Sequence, residues 1–325
     1  MKNKYVFVLV MLLSILIISV GFTNMYVSHN QQTKDEEFVV VTSFYPMYIA
    51  TMNVVGDTQG VTLKNLSEPQ TGCLHDFQLT PADMKLLSTA DVFIINGGGI
   101  ESFMEEIAVQ YPELMIIEAS ENIDLLCEAS AHGRVEELHA HEEENDVHAE
   151  DEHNHEVNAH VWMSVANYRV QVENIANALA KCDENNYESY LANANVYDGK
   201  LEVLQVEQEK LLTLTEGTEV ILFHCAYDYV AEAFGLEAVL CMDLDEERQV
   251  SAGEVAQVLE VIEHHGVNYI FAEELYGASM CEMVQKEADV NVIYLDPLNR
   301  GEYHADSYIE GMRMNMKWIE QAFSN

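Results

Sequence analysis

This sequence is poor in positive charge. Lys and Arg together number 15 against 56 Asp plus Glu, a formal charge of −41 with histidine neutral. Such a field repels phosphate backbones and anionic headgroups, so nucleic acid and acidic lipid are excluded as partners, and a metal or another cation becomes the favoured ligand class. Cysteine is sparse as well. The six present (Cys73, Cys127, Cys182, Cys225, Cys241 and Cys281) show no CxxC or zinc-finger spacing. A disulfide-stapled scaffold is therefore not expected, and the fold must rest on its hydrophobic core. No cysteine precedes Cys73, so attachment through a lipidated N-terminal cysteine is not expected. HExxH and GxSxG are missing, which removes two hydrolase signatures. The glycines at 97–99 lack GxGxxG spacing and follow the third strand of their domain, so they make no dinucleotide fingerprint.

With 325 residues, 49% of them apolar and 9% aromatic, the chain can bury one large core or two ordinary ones. Residues 1–30 read as an export signal or signal anchor: Lys2 and Lys4 precede an apolar run from Tyr5 to Ile18 interrupted only by Ser14. Cleavage and retention are evenly balanced. Ser19 and Gly21 make a mediocre cleavage site, and 18 residues of helix would reach about 27 Å, nearly a bilayer. The expected location is extracytoplasmic, membrane-anchored through this segment or secreted if it is cleaved.

From Phe38 onward, short apolar strands alternate with helical periodicity, the pattern of parallel α/β architecture. Strands are expected at 38–42, 60–66, 91–95 and 114–118, then again at 219–223, 236–241, 267–272 and 290–295. Helices fall between them, one opened by Thr80 as N-cap with Pro81 in its first turn. Two long helical stretches, 164–181 and 184–213, separate the two sets. The division is an N-terminal lobe at 36–183, a linking helix at 184–214 and a second similar α/β lobe at 215–325, with a cleft between lobes where ligands would sit at strand ends. Residues 132–156 interrupt the first lobe with six histidines, ten acidic residues and one arginine, and read as a flexible insertion.

His75, His160 and His224 each fall beside the end of an expected element. Neutral imidazoles suit borderline metals, and zinc adds an oxygen ligand in tetrahedral geometry. Asp296, the first polar residue after strand 290–295, is the favoured oxygen donor, with Glu273 or Glu274 as substitutes. Taken singly, each histidine is more simply read as a hydrogen-bonded residue of the surface or core.

The segments HDFQLTPADMKLLSTADVFIINGGGIESFMEEI, NAHVWMSVANYRVQVENIANALAKCDENNYESYLANANVY, FHCAYDYVAEAFGLE and IFAEELYGASMCEMVQKEADVNVIYLDPLNRGEYHADSYIEGMRMN change that weighting. In order and spacing they resemble the metal-binding solute receptors of bacterial ABC importers, specifically the zinc receptors, over about 38–323. The resemblance implies His75, His160 and His224 as imidazole ligands, Asp296 facing the open coordination position, and a rigid helical link between lobes. It also implies Zn(II) as transported ligand, handed by a monomeric receptor to a membrane permease with its cytoplasmic ATPase. Histidine at the third position favours zinc, since manganese prefers sites richer in carboxylate. The insertion is similar to one in many zinc receptors, and His132, His139, His141, His148, His153 and His155 would gather zinc weakly near the cleft. Asp228 is a candidate to hydrogen-bond a ligand's second ring nitrogen. For Cys73 and Cys225, a disulfide, thiolate ligation and buried free thiols are all open, the last being expected.

The leading reading is a non-enzymatic extracytoplasmic zinc receptor for ABC-type uptake. Its rivals are a manganese or other divalent-metal receptor of the same family, and a zinc-dependent hydrolase with Glu273 or Glu274 as base. An adhesive surface role is a third reading that nothing in the sequence excludes.

Overall fold

The computed structural model describes residues 19, 37–71, 74, 77–127, 157–244 and 249–324. His75, Cys73, the six insertion histidines and all of the N-terminal apolar segment except Ser19 lie outside the described residues. Among the described residues, no helix is long and apolar enough to cross a membrane.

Two four-stranded sheets repeat one topology. In the first, β1 (Phe38–Thr42), β2 (Val61–Asn65), β3 (Val92–Ile95) and β4 (Met115–Glu118) run in the order β2-β1-β3-β4. In the second, β5 (Glu219–Leu222), β6 (Glu237–Cys241), β7 (Tyr269–Ala272) and β8 (Asn291–Tyr294) run β6-β5-β7-β8. Every pairing is parallel. Parallel strands need covered faces, which is why they read as continuous apolar runs such as FVVVT and EVIL. In each sheet the order reverses between the first strand and the third, and the crevice at that point, beyond the carboxyl ends, is where such sheets bind ligands.

The helices α1 (Tyr45–Val55), α2 (Pro81–Leu87) and α3 (Met104–Gln110) cover the first sheet. Thr80 and Asp83 form a reciprocal capping box at the start of α2, as the Thr-Pro signal predicts. Then come α4 (Val165–Cys182), capped by Ser164, and α5 (Tyr187–Glu209), the long helix between the lobes. The stretch expected as one helix over 184–213 is divided: a 3-10 turn at Glu184–Asn186 precedes α5, and α6 (Leu212–Thr215) follows as a separate single turn. The second sheet carries α7 (Asp228–Ala233), α8 (Ala252–His265), α9 (Glu274–Glu287) and α10 (Ser307–Phe323). The helical periodicity between the strands expected at 267–272 and 290–295 predicts a helix over 278–288, and α9 begins four residues before that start. Gly277 lies inside the helix at a close approach, where a Cβ would stand 3.0 Å from Cβ of Ala272 and push it aside.

α5 is fastened on both sides. Arg169 of α4 pairs with Asp198 through two bonds of 2.6 and 3.0 Å, and Arg313 of α10 reaches Glu207 at 2.8 Å. One apolar core runs through both lobes, and a second fills the far side of the second sheet. Trp162, fully buried, seals the junction: its Nε1 donates to the carbonyl of Pro297 at 2.8 Å, and Tyr308 Oη donates to the carbonyl of Trp162 at 2.7 Å.

Candidate metal centre

His224 stands two residues beyond β5 and Glu273 one residue beyond β7. β5 and β7 are the adjacent strands at which the second sheet reverses its order. Neighbouring strands lie about 4.8 Å apart, so residues just past their ends meet: His224 Nδ1 is 3.4 Å from Glu273 Oε2. The other carboxylate oxygen of Glu273 accepts from Arg300 Nη2 at 2.5 Å, and the guanidinium lies over the Tyr276 ring at 5.6 Å. A nearly buried carboxylate is thus held between a fixed cation and an imidazole.

His160 comes from the first lobe. The 3-10 turn Val161–Met163 follows it, and the segment before it is pinned to the end of β3, where Asn96 Nδ2 donates to the carbonyl of Ala159 at 2.9 Å. Its ring meets that of His224 edge to face, with centroids 5.0 Å apart at 86°. Both residues are buried, at 1% and 0% exposure, in a wall formed by Trp162 and Tyr227. Two imidazoles from different lobes therefore converge in a buried junction, where a dipositive ion would gain from low dielectric and the ligands lose little freedom on binding.

Asn158 was not singled out from the sequence, yet it organises this junction. Its amide donates to the carbonyl of Cys225 at 2.7 Å and to Asp228 Oδ2 at 3.1 Å. Its oxygen accepts from the backbone N–H of His160 at 3.0 Å and faces the ring Nδ1 at 2.9 Å. Asn158 thus bonds a ring nitrogen of His160, and Asp228 in turn accepts from Asn158. The legible signal was the short Asn-x-His spacing, since an Asn side chain readily bonds backbone two residues on.

Asp296 lies past β8, which is separated from β5 by β7. Its carboxylate accepts from the backbone N–H of Leu298 at 2.8 Å, supporting a residue with φ of 55°. Burial raises its pKa above the ordinary aspartate value. It lines a cleft of about 580 Å³ together with Glu273, Glu274, Arg300 and Trp318. Glu274 opens α9 on the exposed rim of that cleft. Among the described residues, none of Glu273, Glu274 and Asp296 completes with His160 and His224 a set whose ligand atoms all lie within 4.8 Å of one another; the one such set of three ligand residues is Cys225, Asp228 and Cys241.

The family model "ZnuA: Zinc-uptake complex component A periplasmic" matches residues 40–322. The chain belongs to the ZnuA family. Among its curated relatives, the "Zinc-binding protein AdcA" of Streptococcus pyogenes serotype M18 is 28% identical over 316 residues, covering 95% of this chain and 60% of the relative. This chain thus spans about three-fifths of the AdcA length. The "High-affinity zinc uptake system protein ZnuA" of Bacillus subtilis is 31% identical over 296 residues, 89% of each chain. Among solved structures, the Ni2+ complex of the solute-binding protein FpvC from P. aeruginosa superposes with a TM-score of 0.72 at 25% identity, covering 89% of this chain and 97% of that one. The paired lobes joined by a long helix are the fold that superposes on this neighbour.

Proposed function

We propose that this ZnuA-family chain is an extracytoplasmic receptor that binds Zn(II) between its lobes and delivers it to an ABC-type permease driven by a cytoplasmic ATPase. The observation that carries the reading is the convergence of His160 and His224, one from each lobe, with ring centroids 5.0 Å apart. His75 supplies the third imidazole. Glu273 is the favoured carboxylate, because it follows β7, a strand adjacent to that of His224, and brings Oε2 to 3.4 Å from His224 Nδ1. Imidazole-rich ligation favours zinc over manganese. The names of the AdcA and ZnuA relatives support zinc as cargo. The residues described here bind and orient an ion, and the reading includes no catalytic step.

The N-terminal segment would hold the receptor at the membrane, and the histidines of the insertion would collect zinc weakly without belonging to the tight site.

The test is calorimetric titration of the metal-stripped protein with zinc and with manganese, using His224→Ala and a deletion of residues 136–155. One tight zinc site is expected, unfilled by manganese, lost in His224→Ala and kept in the deletion. Loss of the tight site in the deletion alone would transfer the function to the insertion and end this reading.

A further inference from the structure

The thiols of Cys225 and Cys241 stand 2.9 Å apart, Sγ to Sγ, and both residues are buried, at 7% and 3% exposure. Cys241 ends β6, where it is registered against Leu222 of β5; the 3-10 turn Cys225–Tyr227 folds Cys225 back over it. Asp228 offers a carboxylate oxygen within 4.8 Å of both sulfurs. The spacing discriminates between two uses of such a pair. Non-bonded heavy atoms settle at about 3.5 to 4.0 Å. Two thiolates on a tetrahedral zinc, each about 2.3 Å from the metal, would stand about 3.8 Å apart. The fold presses these sulfurs well inside both limits, toward the covalent S–S length of about 2.05 Å.

We propose that Cys225 and Cys241 are joined by a disulfide in the mature protein and that this bond braces the end of β5 on which His224 stands. The pairing differs from any expected for Cys73. Its mechanical consequence reaches both histidines, since the backbone of Cys225 follows His224 directly and its carbonyl is the acceptor for Asn158, which in turn holds His160. The bracing role rests on the metal-site reading above; the bond itself requires only the extracytoplasmic placement, where disulfides persist.

The bond forms by exchange. The thiolate of one cysteine attacks a disulfide-bonded thiol oxidant, releasing one of its sulfurs as a thiol and leaving a mixed disulfide; the second cysteine displaces the other sulfur. Two cysteine thiols are oxidised, one oxidant disulfide is reduced, and the two thiol protons end on the two released thiols. Burial of both sulfurs places this step before the lobe closes, during folding, and shields the bond afterwards.

The full chain, purified without reductant, would be denatured in excess iodoacetamide and digested. A linked peptide pair carrying Cys225 and Cys241, lighter by two hydrogens than the two free peptides and separated only by reductant, is expected. Full alkylation of both residues, even after refolding with oxidised glutathione, would overturn the proposal, as would metal retained by unlinked thiols in His224→Ala. For the bracing role, zinc affinity of Cys241→Ser and of the reduced wild type should fall about tenfold, the low end for groups that hold a ligand from behind. A linked wild type whose affinity is unchanged in both cases would overturn the brace. A linked wild type with no tight zinc site would overturn the zinc reading and leave the bond standing.

Discussion

Asn158 and His160 are bound twice: the side-chain oxygen of the asparagine takes the backbone N–H of the histidine at 3.0 Å and meets its ring Nδ1 at 2.9 Å. The amide orientation is set independently, because Nδ2 donates to the carbonyl of Cys225 and to Asp228. An oxygen so placed accepts, so Nδ1 carries the proton and Nε2 keeps the lone pair a metal needs. Tyr229 Oη, donating to the carbonyl of Asn158 at 2.8 Å, holds the same residue from the second lobe.

Removing that lock should cost affinity without removing a ligand. Asn158→Ala is expected to weaken zinc binding 10- to 100-fold, on the order found for groups that orient a ligating histidine. A competition titration against a chromophoric chelator, with far-UV circular dichroism to confirm the fold, reads the effect. Unchanged affinity in a folded variant would show that the tautomer is fixed by something else.

The two candidate carboxylates should separate cleanly. Glu273 is fixed by Arg300 and lies 3.4 Å from His224, whereas Asp296 stands one strand further away and caps the Leu298 turn. Glu273→Gln is expected to reduce zinc affinity at least about tenfold. Asp296→Asn should leave affinity close to wild type and lower stability by about 1 kcal/mol through the weakened turn. Zinc titration and thermal unfolding of both variants make the comparison, and the reverse ranking would return Asp296 to the ligand set.

That pair shows where sequence reasoning stops. Asp296 and Glu273 each follow an apolar strand, and nothing local distinguishes them. The decision lies in the order β6-β5-β7-β8, which seats the end of β7 beside that of β5 and puts β8 beyond it. Strand order is a property of long-range pairing and leaves no periodicity behind. The strands themselves were legible because buried parallel strands carry apolar runs, as VFII of β3 does, and every described strand falls on an expected run within two residues. Helix starts were less so: α9 takes in Gly277, a poor helix former that here serves close packing against Ala272. His160 and His224 could be nominated by position, while their meeting depends on the approach of two lobes that are far apart in sequence.

Affinity should fall with pH in a definite direction. A metal binds neutral imidazole, so protons compete as the pH drops through the ordinary histidine range near about 6.5. Between pH 7.5 and 5.5 each ligating imidazole should contribute up to about a tenfold loss. The slope of log affinity against pH, taken from titrations across this range, therefore counts histidine ligands. A flat profile would contradict a site built on imidazoles.

Stability should carry a separate pH signature from Glu101. This carboxylate is 3% exposed and bridges the ends of β1 and β3, accepting from Ser43 Oγ at 2.8 Å, Asn96 N at 2.7 Å and Gly97 N at 3.1 Å. Burial raises its pKa from 4.5 to about 7, even though these three donors favour the charged form. Between pH 4.5 and about 7 the folded chain thus holds a proton that the unfolded chain has released, so this group's contribution is fully present below pH 4.5 and is lost as pH rises through 7. Glu101→Gln cannot titrate. The stability of wild type minus that of the variant, measured by denaturant unfolding of the metal-free proteins, should therefore decline by roughly 3 kcal/mol from pH 4.5 to 7 and then level off. A difference that stays constant across this window would mean that Glu101 is charged throughout, with its three donors outweighing burial. The link from Asn96 to Ala159 would then be held by a permanent carboxylate.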